Sequence, residues 1–462
     1  METSTDSQAR QAWKEVRASI EAKFGEMWRQ PELPGMEYRS SKCLADWLEQ
    51  AGFDVQREPE GITTAFVARR RLGAGGSRIA VLAEFDALPG LDNAADFTRK
   101  PTGTAAGHGC GHNHIGPANS GAAIAAANAA AALGLKGEIA VIGCPAEEIL
   151  WGKVALLQKG LLDGFDAVLT SHGDYQNGAL SRPCVSVVSG EFVFNGATGH
   201  AGKAASASAL DAAELAVQML DKMRASSFSD VAVRHVLRRA GIMPGITPDE
   251  TRVWITARSL DFDRTRQVYA DIAGIMESAA SSAGIRFRHQ FISECRGYLP
   301  NDTLGHCLFA ALQVVGAPDW SEDDLQWMRN LAASCGADDM LLDRKLAFYD
   351  QGVDYYGQDD GEISWRIPLG RVNWAYPQGV PIHHWAWTAL SGHRASSAGP
   401  LMASEALTIA ALRLLADPGI AAAARAELER RTGGKRIDSA RLGAWKTMTR
   451  HPESFWDGSW IE

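Results

Sequence analysis

Between Gly107 and His114 the chain reads GHGCGHNH, which places three histidines and one thiol within seven residues. Packing accounts poorly for such a cluster. Each buried imidazole needs partners for its ring nitrogens, and several in one loop would strand donors and acceptors. Glycines on both sides of Cys110 let the backbone turn tightly and bring Cys110 and His112 to one point. Thiolate plus imidazole is a ligand set for zinc or another late divalent ion, and manganese is a less natural partner for sulfur. The plain alternative is a solvated loop with incidental histidines.

The second signal is Cys144–Glu148, CPAEE, at the end of the apolar run Gly137–Cys144. Adjacent carboxylates there are costly unless one is bound to metal and the other works. Neighbouring side chains diverge. One can hold the metal while the other takes a proton from a water the metal acidifies and returns it to a leaving nitrogen. The plain alternative is an acidic helix start, favoured by the helix dipole. Asp86 follows an apolar strand and is placed to accept the second N–H of His112, which would fix its tautomer. A turn cap is its alternative role. His172 ends another apolar run, Ala167–Ser171.

These residues need a scaffold. A chain of 462 residues is long for one core, so two or more domains are expected. Hydrophobic content of 46% and charged content of 22% are ordinary for a globular protein. A net charge of −9 without a basic stripe argues against nucleic acid. The N-terminal segment lacks the cationic flank and apolar run of a signal peptide, and no stretch is expected to span a bilayer. Seven scattered cysteines fit a reducing cytoplasm rather than a disulfide framework.

Amphipathic helices are expected at 8–29 and Ser40–Ala51, and strands at Phe53–Gln56, Thr63–Arg69, Arg78–Glu84, Gly137–Cys144 and Ala167–Ser171. Helices fall between them at Ala118–Leu133 and Lys153–Lys159. This alternation predicts an α/β fold: a mostly parallel mixed sheet with helices on both faces. Cys110, His112, Glu147, Glu148 and His172 then lie beyond the carboxyl ends of strands, where such sheets bind ligands. The texture changes near residue 185. Alternating strands at Val185–Ala197, Val231–Arg238, Thr251–Ser259 and Ile285–Ile292, with helices at Ala209–Ala225 and Arg264–Ala283, predict a smaller α+β insertion over 186–298. The catalytic domain is then 1–185 and 299–462. The stretch 318–376, which contains Asp359-Asp360-Gly361, reads as polar and turn-rich. Met402–Ala416 reads as a final apolar helix. The tail from Glu427, with Phe455, Trp456 and Trp460, is expected on the surface or on a partner chain.

In combination, Gly107–Gly116 (GHGCGHNHIG), Cys144–Glu148 (CPAEE), Thr170–Gly173 (TSHG) and Gly199–Gly202 (GHAG) resemble the aminoacylase/carboxypeptidase-type metallopeptidases. Ala83–Gly90 (AEFDALPG), Tyr298–Thr303 (YLPNDT), Gly361–Pro368 (GEISWRIP) and Gly379–Trp385 (GVPIHHW) extend the likeness over most of the chain. Within that family the likeness is greatest to the p-aminobenzoyl-glutamate hydrolase branch. The resemblance implies a zinc-peptidase-like catalytic domain with divalent metal, Mn2+ or Zn2+, and an inserted lid that also makes a homodimer or higher homo-oligomer. It implies metal ligands at Cys110, His112, Glu148 and His172, and a general base at Glu147. It places His200 in the lid, polarising the scissile group across the dimer interface, and sets Arg258 against a substrate carboxylate, with His383 also facing the substrate.

One departure stands out. Counting back from the C-terminal helix, the family's last metal histidine falls on Ser397, a poor substitute for imidazole. Either one metal is lost, or His393 stands in, or His383 or His384 turns inward. A single tightly held ion is the expectation, with a second as the alternative. Fewer metals mean less Lewis acidity, which would suit an aryl amine with its own electron sink. The primary expectation is an amidohydrolase acting on an N-acyl or aminobenzoyl amino acid, a small aromatic carboxylate. The alternatives are an aminohydrolase of an electron-poor aminobenzoate, like the relative 5-nitroanthranilate aminohydrolase, and a non-catalytic binding protein that keeps the fold. Trp365, Trp374, Trp385 and Trp387 could form a flat aromatic slot, with core packing as the commoner role for such residues.

Overall fold

The computed structural model describes residues 2–201, 208–435 and 437–459. Its centre is an eight-stranded mixed sheet, in the order Asp54–Arg57, Phe66–Arg71, Glu138–Cys144, Arg78–Glu84, Ala167–Asp174, Leu369–Ala375, Asn177–Leu180 and Leu346–Tyr349. Four of its seven pairings are parallel. The strands Arg78–Glu84 and Glu138–Cys144 run parallel in register from Arg78↔Glu138 to Glu84↔Cys144. They therefore end side by side, and each hands its next residues to the same rim. Their apolar runs reflect burial on both faces.

Helices Ser4–Trp28, His112–Ala132 and Ala398–Ala416 pack together against one face of this sheet. Small residues allow the close approach. Ser404 Oγ accepts from Trp13 Nε1 at 3.1 Å and donates to the Ala118 carbonyl at 2.7 Å, tying the three helices together. Arg394–Ala416 is, against expectation, long and apolar enough to cross a bilayer. It is a core element here, with 89% of its apolar window buried.

A second sheet is wholly antiparallel, in the order Ala232–Arg239, Glu250–Ser259, Ser186–Asn195, Arg286–Cys295. Helices Ala209–Ala225 and Phe262–Ser282 cover one face through an apolar layer that includes Phe192, Phe194, Ile255 and Ile272.

Several expectations need correction. The alanine-rich helix begins at His112, not Ala118, so His112 and His114 lie in its first turn. The stretch read as polar and turn-rich holds the helix Glu322–Ser334 and the fully buried central strand Leu369–Ala375. Of its two expected places, the surface or a partner chain, the C-terminal segment takes the first and packs on its own chain. Trp456 Nε1 donates to the Pro34 carbonyl at 3.0 Å, and Arg238 Nη2 donates to the Phe455 carbonyl at 2.6 Å. Trp460 lies outside the described residues.

Candidate metal centre

Three loops at the rim of the large sheet meet where the two parallel strands end. The first carries Cys110 and His112. Gly111 caps the helix in the left-handed region (φ 81°), and a Cβ there would stand 3.3 Å from Tyr376 Oη. Its freedom lets Cys110 face the cavity while His112 starts the helix. His112 Nδ1 lies 2.8 Å from Asp86 Oδ1, so the ring points Nε2 at the centre. Asp86 thus does what its position suggests. Its other oxygen also accepts from the Glu148 backbone at 2.9 Å.

The second loop is the acidic turn Glu147–Ile149. Ala146 (φ 54°, ψ 40°) and Leu150 (φ 57°, ψ 38°) bracket it, both left-handed and neither a glycine. Each such residue costs roughly 1–2 kcal/mol. The chain then doubles back so tightly that a Cβ on Gly152 would lie 1.7 Å from the Pro145 carbonyl. The strain holds two adjacent carboxylates over one rim. His112 Nε2 stands 3.9 Å from Glu147 Oε2 and 3.8 Å from Glu148 Oε1.

The third contribution is His172, inside the strand Ala167–Asp174. Its Nδ1 donates to the Gly173 carbonyl at 2.7 Å, which leaves Nε2 facing Cys110 Sγ at 3.6 Å. His383 completes the ring. It is left-handed (φ 54°), donates its N–H to the Gly109 carbonyl at 3.0 Å and brings Nε2 to 3.5 Å from Glu148 Oε2.

Two ligand groups therefore share Cys110: Cys110 with His112 and His172, and Cys110 with Glu148 and His383, donor atoms in each within 4.8 Å of one another. Glu84 Oε2, His112 Nε2 and Glu148 Oε1 are buried and have no hydrogen-bond partner. Buried polar atoms are rarely left so. A thiol converging with an imidazole nitrogen and carboxylate oxygens that lack partners fits a late divalent ion. His393 and Ser397 lie apart from these groups. The His393 ring stacks on Trp327 with centroids 3.9 Å apart and its Nδ1 accepts from Ala395 N. Ser397 starts the last core helix. His383, rather than Ser397 or His393, lies within reach of Cys110 and Glu148.

Beneath the ligands lies a buried charge cluster that spacing in the sequence does not single out. Lys153 Nζ, fully buried, pairs with Glu84 Oε1 at 2.8 Å and with Asp359. Burial raises the Glu84 carboxyl, but Lys153 and the nearby His112 and His172 outweigh it and hold it down at about 2. Glu147 goes the other way. Burial, with the charges of Glu84, Asp359 and Glu148, pushes it well above the carboxylate range against the pull of Lys153. The Gly-Lys after an acidic turn was the available signal. Replacing Lys153 with Met is expected to destabilise the fold by about 3–5 kcal/mol, because the buried carboxylates of Glu84 and Asp359 lose the cation they share. Urea unfolding would measure it, and an unchanged midpoint would refute it.

The centre opens into a cavity of about 280 Å³ lined by Cys110, Glu147, His172, Tyr175, Arg258 and Tyr356, among others. No described tryptophan lines it. Trp374 and Trp387 are fully buried around Tyr376, Trp365 is tied to the Gly297 carbonyl, and Trp385 lies beside His384. The tryptophan slot is therefore not formed, and the aromatic walls are Tyr175 and Tyr356. Arg258 has a buried Nε without a partner. Burial, reinforced by Arg234, lowers its pKa. His200 is not among the lining residues. It is exposed on the short strand Gly199–His200, which pairs with Ile246–Thr247. The larger open groove of about 670 Å³ beside that strand holds none of the ligand side chains.

The α/β sheet thus carries donor-rich loops at its rim, and the second sheet contributes Val187 and Arg258 to the cavity beside them. Residues 185–283 match the peptidase dimerisation domain. Over 428 residues the chain is 27% identical to a p-aminobenzoyl-glutamate hydrolase chain of Escherichia coli (strain K12), covering 86% of this chain and 89% of that protein. It is 27% identical over 284 residues to the N-acetylcysteine deacetylase of Bacillus subtilis (strain 168), 59% of this chain and 72% of that one. In fold, it matches a dinuclear metal-binding M20 peptidase of Bacillus subtilis with a TM-score of 0.56 at 19% identity, over 87% of this chain and 99% of the other. The aminobenzoyl-glutamate utilization protein of Klebsiella pneumoniae gives 0.55 at 15% identity, over 87% and 97%. In sequence and in fold the chain is thus similar to the aminoacylase/carboxypeptidase-type (M20) metallopeptidases, and with these relatives it is a metal-dependent hydrolase of carbon–nitrogen bonds other than standard peptide bonds.

Proposed function

We propose that the protein hydrolyses the amide bond of an N-acyl or aminobenzoyl amino acid. The supporting observation is the convergence of Cys110, His112, Glu148, His172 and His383 around Glu147, under a cavity that also holds an unpaired arginine. Cys110 with His112 and His172, and Cys110 with Glu148 and His383, are the groups that would hold divalent metal, one ion in each. This departs from the single ion expected with Ser397 as the lost ligand. Bound there, the ions supply Lewis acidity and acidify water toward neutral pH.

The chain's own groups do the rest. Glu147 accepts the proton of the attacking water and delivers it to the leaving nitrogen. Its raised affinity for protons suits both steps. Asp86 keeps the His112 tautomer fixed and pins the backbone of Glu148. Arg258 receives the substrate carboxylate, since a desolvated guanidinium without an acid partner is costly until one arrives. Tyr175 and Tyr356 flank an aromatic acyl group. Residues 1–185 and 299–462 form the catalytic body, and 186–298 form a lid that pairs two copies of the chain. His200, away from its own cavity, polarises the scissile carbonyl in that of the partner copy. Seven free cysteines suit a reducing compartment such as the cytoplasm.

A panel of p-aminobenzoyl-glutamate, N-acetylated amino acids and nitro-substituted aminobenzoates tests the reading. Release of an amino acid is the expected product. Ammonia as the only product would replace amide hydrolysis with deamination. Arg258→Ala is expected to raise KM about 10–100-fold with little change in kcat, the loss of one charge-assisted contact. Substrate amides lacking the free carboxylate should not feel the change, and equal losses for both would remove Arg258 from this role.

A further inference from the structure

The acidic turn carries both the proposed base and a proposed ligand, yet its own residues do not favour its conformation. Left-handed Ala146 and Leu150 need outside support. Three elements far apart in the chain supply it. Asp86 accepts from Glu148 N at 2.9 Å. Ser293 Oγ donates to the Ile149 carbonyl at 3.0 Å. Glu37, fully buried at the start of the helix Tyr38–Gln50, accepts from Ala146 N through Oε1 at 2.8 Å. The same Oε1 accepts from Gly35 N at 2.7 Å, and Oε2 accepts from Thr64 Oγ1 at 2.6 Å. Every oxygen of this carboxylate is therefore committed, and none faces the cavity.

Building on the reading of Glu147 as base, we propose that Glu37 is a positioning residue: its carboxylate holds Ala146 in the left-handed conformation that aims Glu147 and Glu148 into the centre. Glu37 touches neither the ligands nor the space a substrate occupies. Its effect passes through one backbone N–H. The bond to Glu37 fixes the Pro145–Ala146 peptide plane, and the bond from Glu148 N to Asp86 fixes the turn two residues on, so the torsions of Ala146 are set between two anchored ends. The Asp86 and Ser293 clamps act later in the turn, and Glu37 holds the N–H at its entry.

The test is a rescue. Glu37→Asp keeps the charge and the buried setting but withdraws the oxygens by one methylene. It is expected to lower kcat on the order of 10²-fold, with KM and bound metal near wild type, as a base displaced by about 1 Å would. Ala146→Gly should be nearly silent alone, because glycine adopts the left-handed region without penalty. In the Glu37→Asp background it should restore kcat about tenfold, the worth of a left-handed alanine. Glu37→Gln retains an oxygen acceptor for Ala146 N and should stay within about threefold of wild type. The assay uses the faster of p-aminobenzoyl-glutamate and N-acetylcysteine.

A readout independent of turnover is amide hydrogen exchange over residues 145–151. It should quicken in Glu37→Asp and remain slow in Glu37→Gln. A double variant no better than Glu37→Asp, or unchanged exchange, would overturn the proposal. Full activity in Glu147→Gln, run alongside, would overturn the assignment of the base instead, and the exchange result would still judge Glu37.

Discussion

Glu147→Gln is expected to lower kcat by about 10²–10⁴-fold while leaving the bound metal in place. Glutamine has the same shape but cannot take a proton from water. Nothing that positions the turn is lost, because the bond from Glu148 N to Asp86 and the bond from Ala146 N to Glu37 both use backbone. Glu148→Gln makes the contrast. Its Oε1 is a buried orphan beside His112, and Oε2 faces His383, so the change should cost metal first and activity as a consequence. Metal analysis beside steady-state kinetics separates the two. If Glu147→Gln sheds metal in proportion to activity, Glu147 is a ligand and the proton must move elsewhere. If it works at the wild-type rate, the acidic pair has no catalytic division of labour.

How far the sequence carries can be judged residue by residue. Cys110 and His112 stand out by the composition of their loop, Glu148 and His172 by their place at or just after apolar runs, and parallel strands deliver such positions to one rim. The apolar runs Arg78–Glu84 and Gly137–Cys144 are read nearly to the residue for the same reason. Leu369–Ala375 is not. Its sequence LGRVNWA puts Arg371 and Asn373 in a central strand, which breaks the apolar run. The structure satisfies both polar groups internally, Arg371 with Asp360 and Asn373 with Asp174. A buried arginine paired eleven positions away leaves no periodic signal. His383 is legible in GVPIHHW as a residue near the substrate, but not its pairing with Glu148, which its half-exposed ring reaches from a left-handed backbone that spacing rules do not anticipate for histidine. Counting back from the last helix lands instead on Ser397. Glu37 and Lys153 escape notice because their work is done inside the protein, on backbone and on other charges.

Cys110→Ser supplies the sharpest test of how the donors are shared. Burial pushes the Cys110 thiol far up, so in the free chain it stays protonated and only a metal can hold it as thiolate. A serine hydroxyl does not ionise at neutral pH and is a poor ligand for a late divalent ion. If two groups share this sulfur, the substitution should empty both, taking bound metal from about two equivalents per chain to well below one, and activity with it. His172→Ala and His383→Ala each touch one group and should each leave about one equivalent. A single-ion centre behaves otherwise. The wild type would carry about one equivalent, and His383→Ala or His172→Ala, whichever lies outside that ion's ligand set, would keep it. Metal stoichiometry on freshly purified protein decides between these patterns before any substrate is known, because it depends only on which side chains reach one sulfur atom.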